Sequence, residues 1–218
     1  PNPALIKAIH AWPPVKTLKD LQSLLGTMNY VRPHAGPEYA RIAAGTRGLL
    51  KPGAPFPPTK EQNDCLEALK KLFTHGSVLA VADEAAALLA ANAWMSGNPP
   101  SPNARPFEAG ADTSKIAWGG VLGQCDVDNG KLRPLQYCGG YLSPSQSNWP
   151  PFEQEFWGLV QLRRAIKLAH GRIPKVLHTD HANITRLDHL PLARIDSKHI
   201  RWHNELVADG SLLLYRIG

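Results

Sequence analysis

The hydrophobic pattern of this chain changes its period near residue 106, and that change limits the folds open to it. Before about residue 75, apolar side chains recur every three to four residues, as on one face of a helix. After residue 106 they come in short β-prone runs separated by turn residues. The segment GNPPSPNARP at 97–106 separates the two patterns. We therefore predict a helical unit followed by a domain built around a sheet.

Cap residues and apolar spacing place the helices of the first unit. Thr17 and Asp20 form a capping-box variant in front of an amphipathic helix that extends to about residue 31. Thr59 caps a later helix. We also predict a short helix at 38–50, an extended link or strand at 76–82 and a helix at 84–93. The chain then divides into a helical unit at 1–80, a linker or insertion at 81–105 and a larger domain at 106–218.

Turn and period signals in the larger domain predict an α/β fold. Asp128-Asn129-Gly130 joins two β-prone runs, which is a strong signal for an antiparallel hairpin. Pro150-Pro151 stands where a long helix begins. The predicted strands are 107–112, 116–124, 131–141, 175–178 and 211–217, and the predicted helices are 152–170, 181–189 and 195–208. This order describes a mixed five-stranded sheet. An antiparallel hairpin sheet is joined by a parallel strand, and flanking helices cover it.

Composition and charge exclude some classes of protein and leave others open. No run of about 18 apolar residues is present, so we expect no transmembrane helix. The first residues lack the regions of a signal peptide, and the absence of an initial methionine indicates a piece of a longer polypeptide. The three cysteines are widely spaced with no CxxC, which argues against disulfides and zinc and favours a reducing compartment. The net charge of +6 is compatible with a polyanionic partner without requiring one.

Three acidic residues stand at positions where they can meet. Asp112 ends the first predicted strand, Asp180 ends the fourth, and Glu155 lies near the start of the long helix. If those strands are neighbours and the helix packs across them, the three carboxylates converge. Hard divalent cations such as Mg²⁺ prefer oxygen ligands, and two such ions about 4 Å apart can promote phosphodiester cleavage. The alternative is structural, because carboxylates suit helix N-termini and strand ends are commonly polar. Spacing alone leaves both interpretations open.

Short motifs along almost the whole chain resemble, in order, those of one protein family. The chain is similar to the C-terminal part of gypsy-type long-terminal-repeat retrotransposon reverse transcriptases, which comprises the thumb and connection followed by the RNase H region of the Pol polyprotein. The matching segments are AWPP at 11–14, LQSLLGTMNY at 21–30, 56–70, PF at 106–107, DTS at 112–114, GVLGQ at 120–124, PLQY at 134–137, LS at 142–143, NWPPFEQE at 148–155, TDH at 179–181, RW at 201–202 and YRIG at 215–218. Each motif alone is weak, but their shared order makes the resemblance specific.

The resemblance implies an RNase H-like domain that cleaves the RNA strand of RNA–DNA hybrids endonucleolytically by a two-metal mechanism. Asp112, Glu155 and Asp180 match three of the family's four metal-binding carboxylates, and the motif selects Glu155 rather than Glu153. The implied cofactor is Mg²⁺, with Mn²⁺ as a substitute. The implied partners are an RNA–DNA hybrid and the upstream fingers and palm of the reverse transcriptase, with no membrane. The implied location is the cytoplasm, within virus-like particles, or the nucleus, without secretion.

The resemblance is incomplete in two places. The family's fourth carboxylate would follow YRIG, where this sequence ends, and Asp188, Asp196 and Asp209 do not match its motif. Residues 84–103 look like an insertion relative to the family. These departures leave a second interpretation open, in which the chain is a catalytically weak or inactive remnant that binds the hybrid without cutting it.

Other side chains are candidates for substrate contact, each with a structural alternative. His181, beside the third carboxylate, could assist proton transfer or product release, or face solvent. Trp118 and Trp149 could stack on bases or belong to the core. His199 and His203 have an i, i+4 spacing that suits zinc, but no third ligand is evident. Basic residues that could line a phosphate groove or form a solvated face are Arg163, Arg164, Lys167, Lys198 and Arg201.

Overall fold

Helices precede a sheet along the chain in the computed structural model, which describes residues 3–36, 38–73, 79–170, 173–187 and 195–216. The α-helices are α1 Pro3–His10, α2 Leu18–Val31, α3 Glu38–Ala43, α4 Lys60–Leu72, α5 Glu84–Ser96, α6 Pro151–His170, α7 Ala182–Thr185 and α8 Ser197–Val207. The strands are β1 Phe107–Thr113, β2 Ala117–Cys125, β3 Leu132–Tyr141, β4 Lys175–Thr179 and β5 Leu212–Tyr215. Short 3-10 helices occupy Arg32–His34, Ala44–Leu50 and Gln146–Asn148.

The two capped helices of the first unit begin where the sequence predicts. At α2 the Thr17 side chain accepts from the Asp20 N–H, and the Asp20 carboxylate accepts from the Thr17 N–H. Thr59 and Gln62 make the same reciprocal pair at α4. The apolar faces of these helices meet α1 in one buried cluster that includes Ile9, Leu21, Leu24, Met28, Leu66 and Leu69.

The sheet has five strands in the order β3-β2-β1-β4-β5. The pairs β1–β2 and β2–β3 are antiparallel, whereas β1–β4 and β4–β5 are parallel. The predicted turn joins β2 to β3, with Gly130 at a φ of 66° and the Asp126 N–H donating to the Lys131 carbonyl over 2.9 Å. The predicted fold class, an α/β mixed five-stranded sheet with flanking helices, is confirmed.

Helix α6 packs across one face of the sheet and forms the centre of its core. Gly120 of β2 allows this approach, because a Cβ at that position would lie 3.0 Å from both terminal methyl groups of Leu162. The buried residues on this face include Phe107, Ala109, Leu122, Phe156, Leu159, Val160, Leu162 and Leu177. Since side chains alternate along a strand, Glu108, Gly110 and Asp112 of β1 belong to the other face.

The helical unit covers the outer edge of β3. The Arg32 guanidinium donates to the Gly139 carbonyl, and Arg47 Nη1 donates to the Leu142 carbonyl over 3.2 Å. Ala40 also comes close to Gly139, where an added Cβ would lie 3.3 Å from its side chain. An uncovered edge strand offers free carbonyls to other chains, so these contacts both protect the edge and join the unit to the sheet.

Three of the predicted segments differ from the structure or lie partly outside the described residues. The helix expected at 38–50 divides into α3 and a 3-10 segment, and Gly45 and Gly48 account for this because glycine weakens an α-helix. Of the helix expected at 181–189, Ala182–Thr185 is helical, and 188–194 lie outside the described residues. Of the link expected at 76–82, 79–82 form no strand and 74–78 lie outside.

The segment between the helical unit and the sheet contains an ordered helix. The predicted helix at 84–93 is confirmed as α5, which extends to Ser96 and ends at Gly97 with a φ of 67°. Trp94 anchors α5 to the larger domain by donating to the Gly210 carbonyl over 2.9 Å. The domain boundaries at 80 and 105 stay predictions. Among the described residues, no helix combines the length and apolarity needed to cross a bilayer.

Candidate active site

Asp112 and Asp180 lie beside each other at one end of the sheet. Strands β1 and β4 are parallel neighbours, with Gly110 as the register partner of His178. Each aspartate is two residues beyond this pair, and neighbouring strands are about 4.8 Å apart. Both residues are exposed, and both line the same cavity. The expectation that the first and fourth strands are neighbours is therefore confirmed.

Glu155 reaches the same end of the sheet from helix α6, where it is half-buried. Burial raises the pKa of Glu155 to about 7, and the negative charges of Asp112 and Asp180 add to the increase. The backbone N–H of Thr113 acts in the opposite direction, because it donates to Glu155 Oε1 over 3.2 Å. The three carboxyl groups thus form one electrostatic cluster, which we call the acidic trio: Asp112, Glu155 and Asp180.

The acidic trio offers the donors that Mg²⁺ prefers, but it is not a closed metal cage. Mg²⁺ binds carboxylate oxygens and retains several waters, and a cation between the carboxyl groups would relieve the repulsion that raises the pKa of Glu155. Across the described parts of the chain, however, no group of three or more His, Cys, Asp and Glu side chains is arranged to hold a metal ion. The trio therefore fits Mg²⁺ in ligand type and charge, and its side chains would have to move inward to hold it.

His181 follows Asp180 directly and is hydrogen-bonded to it. Its Nδ1 lies 3.0 Å from Asp180 Oδ1, and its backbone N–H donates to Thr179 Oγ1 over 3.2 Å. The ring centroid lies 6.5 Å from that of Phe152. Since 31% of the side chain is exposed, the imidazole is accessible to solvent and to a ligand beside the acidic trio.

Glu153 is engaged away from the acidic trio. It accepts a hydrogen bond from Lys198 Nζ over 2.8 Å and lies 3.0 Å from His199 Nε2. These contacts tie α6 to α8. The structure thus places Glu155 beside the two aspartates and gives Glu153 a bridging position.

The tryptophans and the histidine pair on α8 lie in aromatic packing. Trp118 is 7% exposed, and His203 is 4% exposed. Trp149 keeps part of its surface accessible, but its ring centroid lies 5.7 Å from that of Trp202. His199 stacks 6.0 Å from Phe156 while it contacts Glu153. These positions favour a role for the two tryptophans in the core or at its rim over stacking on bases. Within the described ranges, no group of three or more His, Cys, Asp and Glu side chains could hold a zinc ion.

Arg163 does not line a groove, which corrects its predicted contact with phosphates. The residue is 4% exposed, and its guanidinium forms an ion pair with Asp209. The helical period explains this position, because 159, 163 and 166 share the face of α6 that packs on the sheet. A buried and paired arginine cannot reach a duplex bound at the surface.

The other predicted basic residues remain accessible to different degrees. Arg164 is 48% exposed in its side chain and holds Glu205 through two hydrogen bonds of 2.7 and 2.8 Å. Lys198 is 29% exposed and lies 4.9 Å from the ring centroid of Trp149. Lys167 and Arg201 are exposed on α6 and α8. Their location is compatible with the phosphate contacts predicted for them.

The other aspartates considered as a fourth carboxylate serve elsewhere or lie outside the description. Asp196 caps α8, where its side chain accepts from the Lys198 N–H over 2.7 Å. Asp209 pairs with Arg163 and accepts from the Ser211 hydroxyl over 2.7 Å. Asp188 lies outside the described residues. Neither Asp196 nor Asp209 joins the acidic trio.

A cavity of about 660 Å³ lies on the sheet face that carries Glu108 and extends to the two aspartates of the acidic trio. Within it, Glu108 Oε2 lies 2.8 Å from His178 Nε2, and this hydrogen bond lowers the pKa of Glu108. Sequence reasoning missed Glu108 as a neighbour of the site. The alternation of β1 was the available signal, since 108, 110 and 112 must share a face.

Comparison with known proteins gives concordant results. The RNase H-like domain found in reverse transcriptase matches residues 103–208, a segment that contains β1 to β4, α6 and the acidic trio. The chain is also 26% identical over 230 residues to the retrovirus-related Pol polyprotein from transposon opus of Drosophila melanogaster, a match that covers 100% of this chain and 20% of that protein.

Two solved structures of the foamy viral protease-reverse transcriptase share the fold. The complex with RNA/DNA hybrid has a TM-score of 0.72 at 20% identity and covers 99% of this chain and 27% of that chain. The complex with dsDNA has a TM-score of 0.69 at 19% identity and covers 100% of this chain and 41% of that chain. This chain thus spans less than half of each relative.

The domain match, the polyprotein relative and the shared fold agree with the topology described above. The gypsy-type assignment stays a prediction, because none of these relatives distinguishes that subtype. Residues 103–208 are an RNase H-like domain of the kind found in reverse transcriptase, and the chain as a whole is similar to the corresponding region of a retrotransposon Pol polyprotein.

Proposed function

We propose that this chain is the RNase H portion of a reverse transcriptase and that it hydrolyses the RNA strand of RNA–DNA hybrids endonucleolytically with Mg²⁺ or Mn²⁺. The acidic trio carries this proposal. Two aspartates stand at the ends of neighbouring parallel strands, and Glu155 lies near them with its pKa raised to about 7 by burial and, in addition, by their negative charges. A foamy viral relative of the same fold is in complex with RNA/DNA hybrid, which supports the choice of substrate.

The acidic trio would hold the divalent cations through its carboxylate oxygens. Bound ions of this kind supply an activated water and stabilise the leaving oxygen of a phosphodiester. The chain itself contributes position. The sheet fixes the backbones of Asp112 and Asp180, and the Thr113 N–H holds the Glu155 carboxyl group.

Protons move at two residues of the site. Glu155 shares its proton with solvent near pH 7 and would release it when a cation enters, since metal ligands must be deprotonated. His181 is held through Nδ1 by Asp180, and Nε2 of its exposed ring would exchange a proton with the leaving oxygen.

Exposed cations on α6 and α8 would hold the hybrid by its phosphates. Arg164, Lys167, Lys198 and Arg201 retain exposed surface, whereas Arg163 does not. Binding by such contacts weakens steeply with salt. We further propose that upstream fingers and palm of the same polyprotein deliver the hybrid, in cytoplasmic virus-like particles or in the nucleus.

Cleavage of an end-labelled RNA–DNA hybrid tests the proposal. The wild-type chain should cut the RNA strand with Mg²⁺ or Mn²⁺, and Asp112→Asn should abolish cutting while retaining hybrid affinity. Single-stranded RNA and duplex DNA of the same sequence serve as substrate controls. Equal cutting by both proteins would indicate a contaminating nuclease and contradict the assignment.

The second candidate is a hybrid-binding remnant with little or no cleavage. One observation favours it: among the described residues, the acidic side chains do not form a ready metal-binding group. This candidate predicts salt-dependent hybrid binding together with no cutting in either metal. Asp112→Asn would then bind the hybrid at least as tightly as wild type, because it removes a charge that repels phosphate.

A further inference from the structure

Thr113 of β1 and Gly158 of α6 meet where the helix comes closest to the sheet. A Cβ added at Gly158 would lie 2.1 Å from Thr113 Oγ1 and 3.4 Å from the Cβ of Trp118. The first distance is far inside van der Waals contact, so the observed spacing of α6 and β1, with the Thr113 side chain in this conformation, requires glycine at 158. The Thr113 hydroxyl is buried there without a hydrogen-bond partner. Its contribution at this contact is therefore steric.

The same threonine contacts α6 at a second point. Its backbone N–H donates to Glu155 Oε1 over 3.2 Å. Glu155 and Gly158 are three residues apart and share a helix face, separated by about 4.5 Å along the axis. These two contacts with one residue fix both the distance of this part of α6 from the sheet and its rotation about the helix axis. They fix it relative to Asp112, which directly precedes Thr113 in the chain.

We propose that Thr113 and Gly158 are a coupled positioning pair for Glu155. The side chain at 113 requires the absence of a side chain at 158, and together they set the distance from the Glu155 carboxyl group to the two aspartates. Neither residue needs to touch the substrate. The catalytic consequence and the effect on Mg²⁺ binding rest on the proposed function, whereas the steric coupling does not.

The pair matters because the acidic side chains of the described residues do not form a metal-holding group as they stand, so small shifts of Glu155 count. Gly158→Ala would force α6 away from β1 and so displace Glu155. A rotation of the Thr113 side chain alone would leave the backbone contact and kcat unchanged, and that result would overturn the inference. Misplacement by about 1 Å can cost on the order of 100-fold in rate. We expect kcat on the hybrid to fall at least about 10-fold, with KM changed by less than about twofold, because the exposed cations keep their places.

A double-mutant cycle tests the coupling. Thr113→Ala removes the hydroxyl that an alanine at 158 would clash with and keeps the backbone N–H that holds Glu155, so it should lower kcat less than Gly158→Ala does. The double variant Thr113→Ala/Gly158→Ala should recover kcat to a similar level, because the new methyl then occupies the vacated space. Thr113→Val, which keeps the shape and loses the hydroxyl, should behave like wild type. Loss of activity in Thr113→Val would overturn the steric account.

Two readouts do not depend on cleavage. The free energy of unfolding of the four proteins in the cycle should be non-additive, with the double variant more stable than Gly158→Ala alone. Mg²⁺ affinity, measured by calorimetry without nucleic acid, should fall in Gly158→Ala and return in the double variant. If Gly158→Ala fails to fold, recovery of a folded double variant supports the pair, and a double variant that stays unfolded overturns it.

A matched control comes from a second tightly packed glycine. A Cβ at Gly45 in the helical unit would lie 2.5 Å from Cys65 Sγ. Gly45→Ala should lower stability while leaving kcat and Mg²⁺ affinity unchanged. Wild-type Mg²⁺ affinity in Gly158→Ala, or additive effects across the cycle, would overturn the inference. Absence of cleavage by the wild-type chain would refute the proposed function, and non-additive stability across the cycle would still decide the steric pair.

Discussion

The backbone N–H of Thr113 and Glu155 Oε1 are 3.2 Å apart, and this hydrogen bond joins the end of β1 to helix α6 at the acidic trio. It holds a half-buried carboxyl group beside Asp112 and Asp180. Burial and these two charges raise the pKa of Glu155 to about 7. The protonation of one side chain therefore links pH to stability in this domain.

The stability of the metal-free chain should fall as the pH rises from about 4.5 to about 7. The pKa of Glu155 is 4.5 in the unfolded chain and about 7 in the folded chain, so the folded state binds more protons in this window. Its stabilising contribution is complete below pH 4.5 and is lost as the pH passes 7. The full shift of the Glu155 pKa corresponds to about 3 kcal/mol in the free energy of unfolding. Because the side chain is only half-buried, solvent screening reduces this contribution to about 1–2 kcal/mol.

Urea unfolding at pH 5 and pH 8 measures this effect, with Glu155→Gln as the control. The variant should lose this part of the pH dependence and be the more stable protein at pH 8 without metal. Mg²⁺ should then stabilise the wild type at pH 8 and leave Glu155→Gln unaffected. Identical pH profiles for the two proteins would contradict the prediction.

The two glutamates of α6 should differ in their effect on cleavage. Glu155→Gln should abolish Mg²⁺-dependent cutting of the hybrid, because it removes a ligand of the acidic trio. Glu153→Gln should keep most of the activity and lose about 1 kcal/mol of stability, because its bonds to Lys198 and His199 weaken. Parallel measurements of kcat and urea midpoint check this, and the reverse order of effects would assign the catalytic role to Glu153.

Arg163→Ala should lower the free energy of unfolding by about 3 kcal/mol, because it empties a buried site and leaves the Asp209 carboxylate, whose side chain is only 17% exposed, without its charged partner. The adjacent Arg164→Ala is the matched control. That side chain is 48% exposed and pairs with Glu205, so its loss should cost no more than about 1 kcal/mol. Chemical denaturation compares the two, and equal losses would contradict the assignment of Arg163 to the core.

Lys167→Ala and Arg201→Ala should weaken hybrid binding without affecting the fold. Each should reduce the slope of log affinity against log salt by about 1 and change stability by less than about 0.5 kcal/mol. Arg133, which is 47% exposed beside the β2–β3 turn, provides a control substitution of the same charge. Salt titrations with a fluorescent hybrid measure the slopes, and a slope change only in Arg133→Ala would place the hybrid elsewhere.

Local sequence signals determined most of the secondary structure. Thr17 and Thr59 begin helices α2 and α4 because their capping bonds lie within a few residues of chain. The turn that joins β2 to β3 ends at Gly130, whose positive φ is a backbone conformation that glycine adopts without strain. The alternation of β1 likewise contains the information that 108, 110 and 112 share a face. Such signals depend only on residues that are neighbours in sequence, so the elements they mark can be predicted without knowledge of the tertiary structure.

Only the tertiary structure decided what the side chains meet. Arg163 and Arg164 are adjacent and chemically identical, yet one is buried with Asp209 and the other faces solvent. The raised pKa of Glu155 and the space that Gly158 leaves for Thr113 also depend on elements distant in sequence. Burial and close packing arise between elements, and a one-dimensional pattern does not contain those distances. The sequence by itself determined the elements and the candidate carboxylates, and the packing of α6 on β1 decided their geometry.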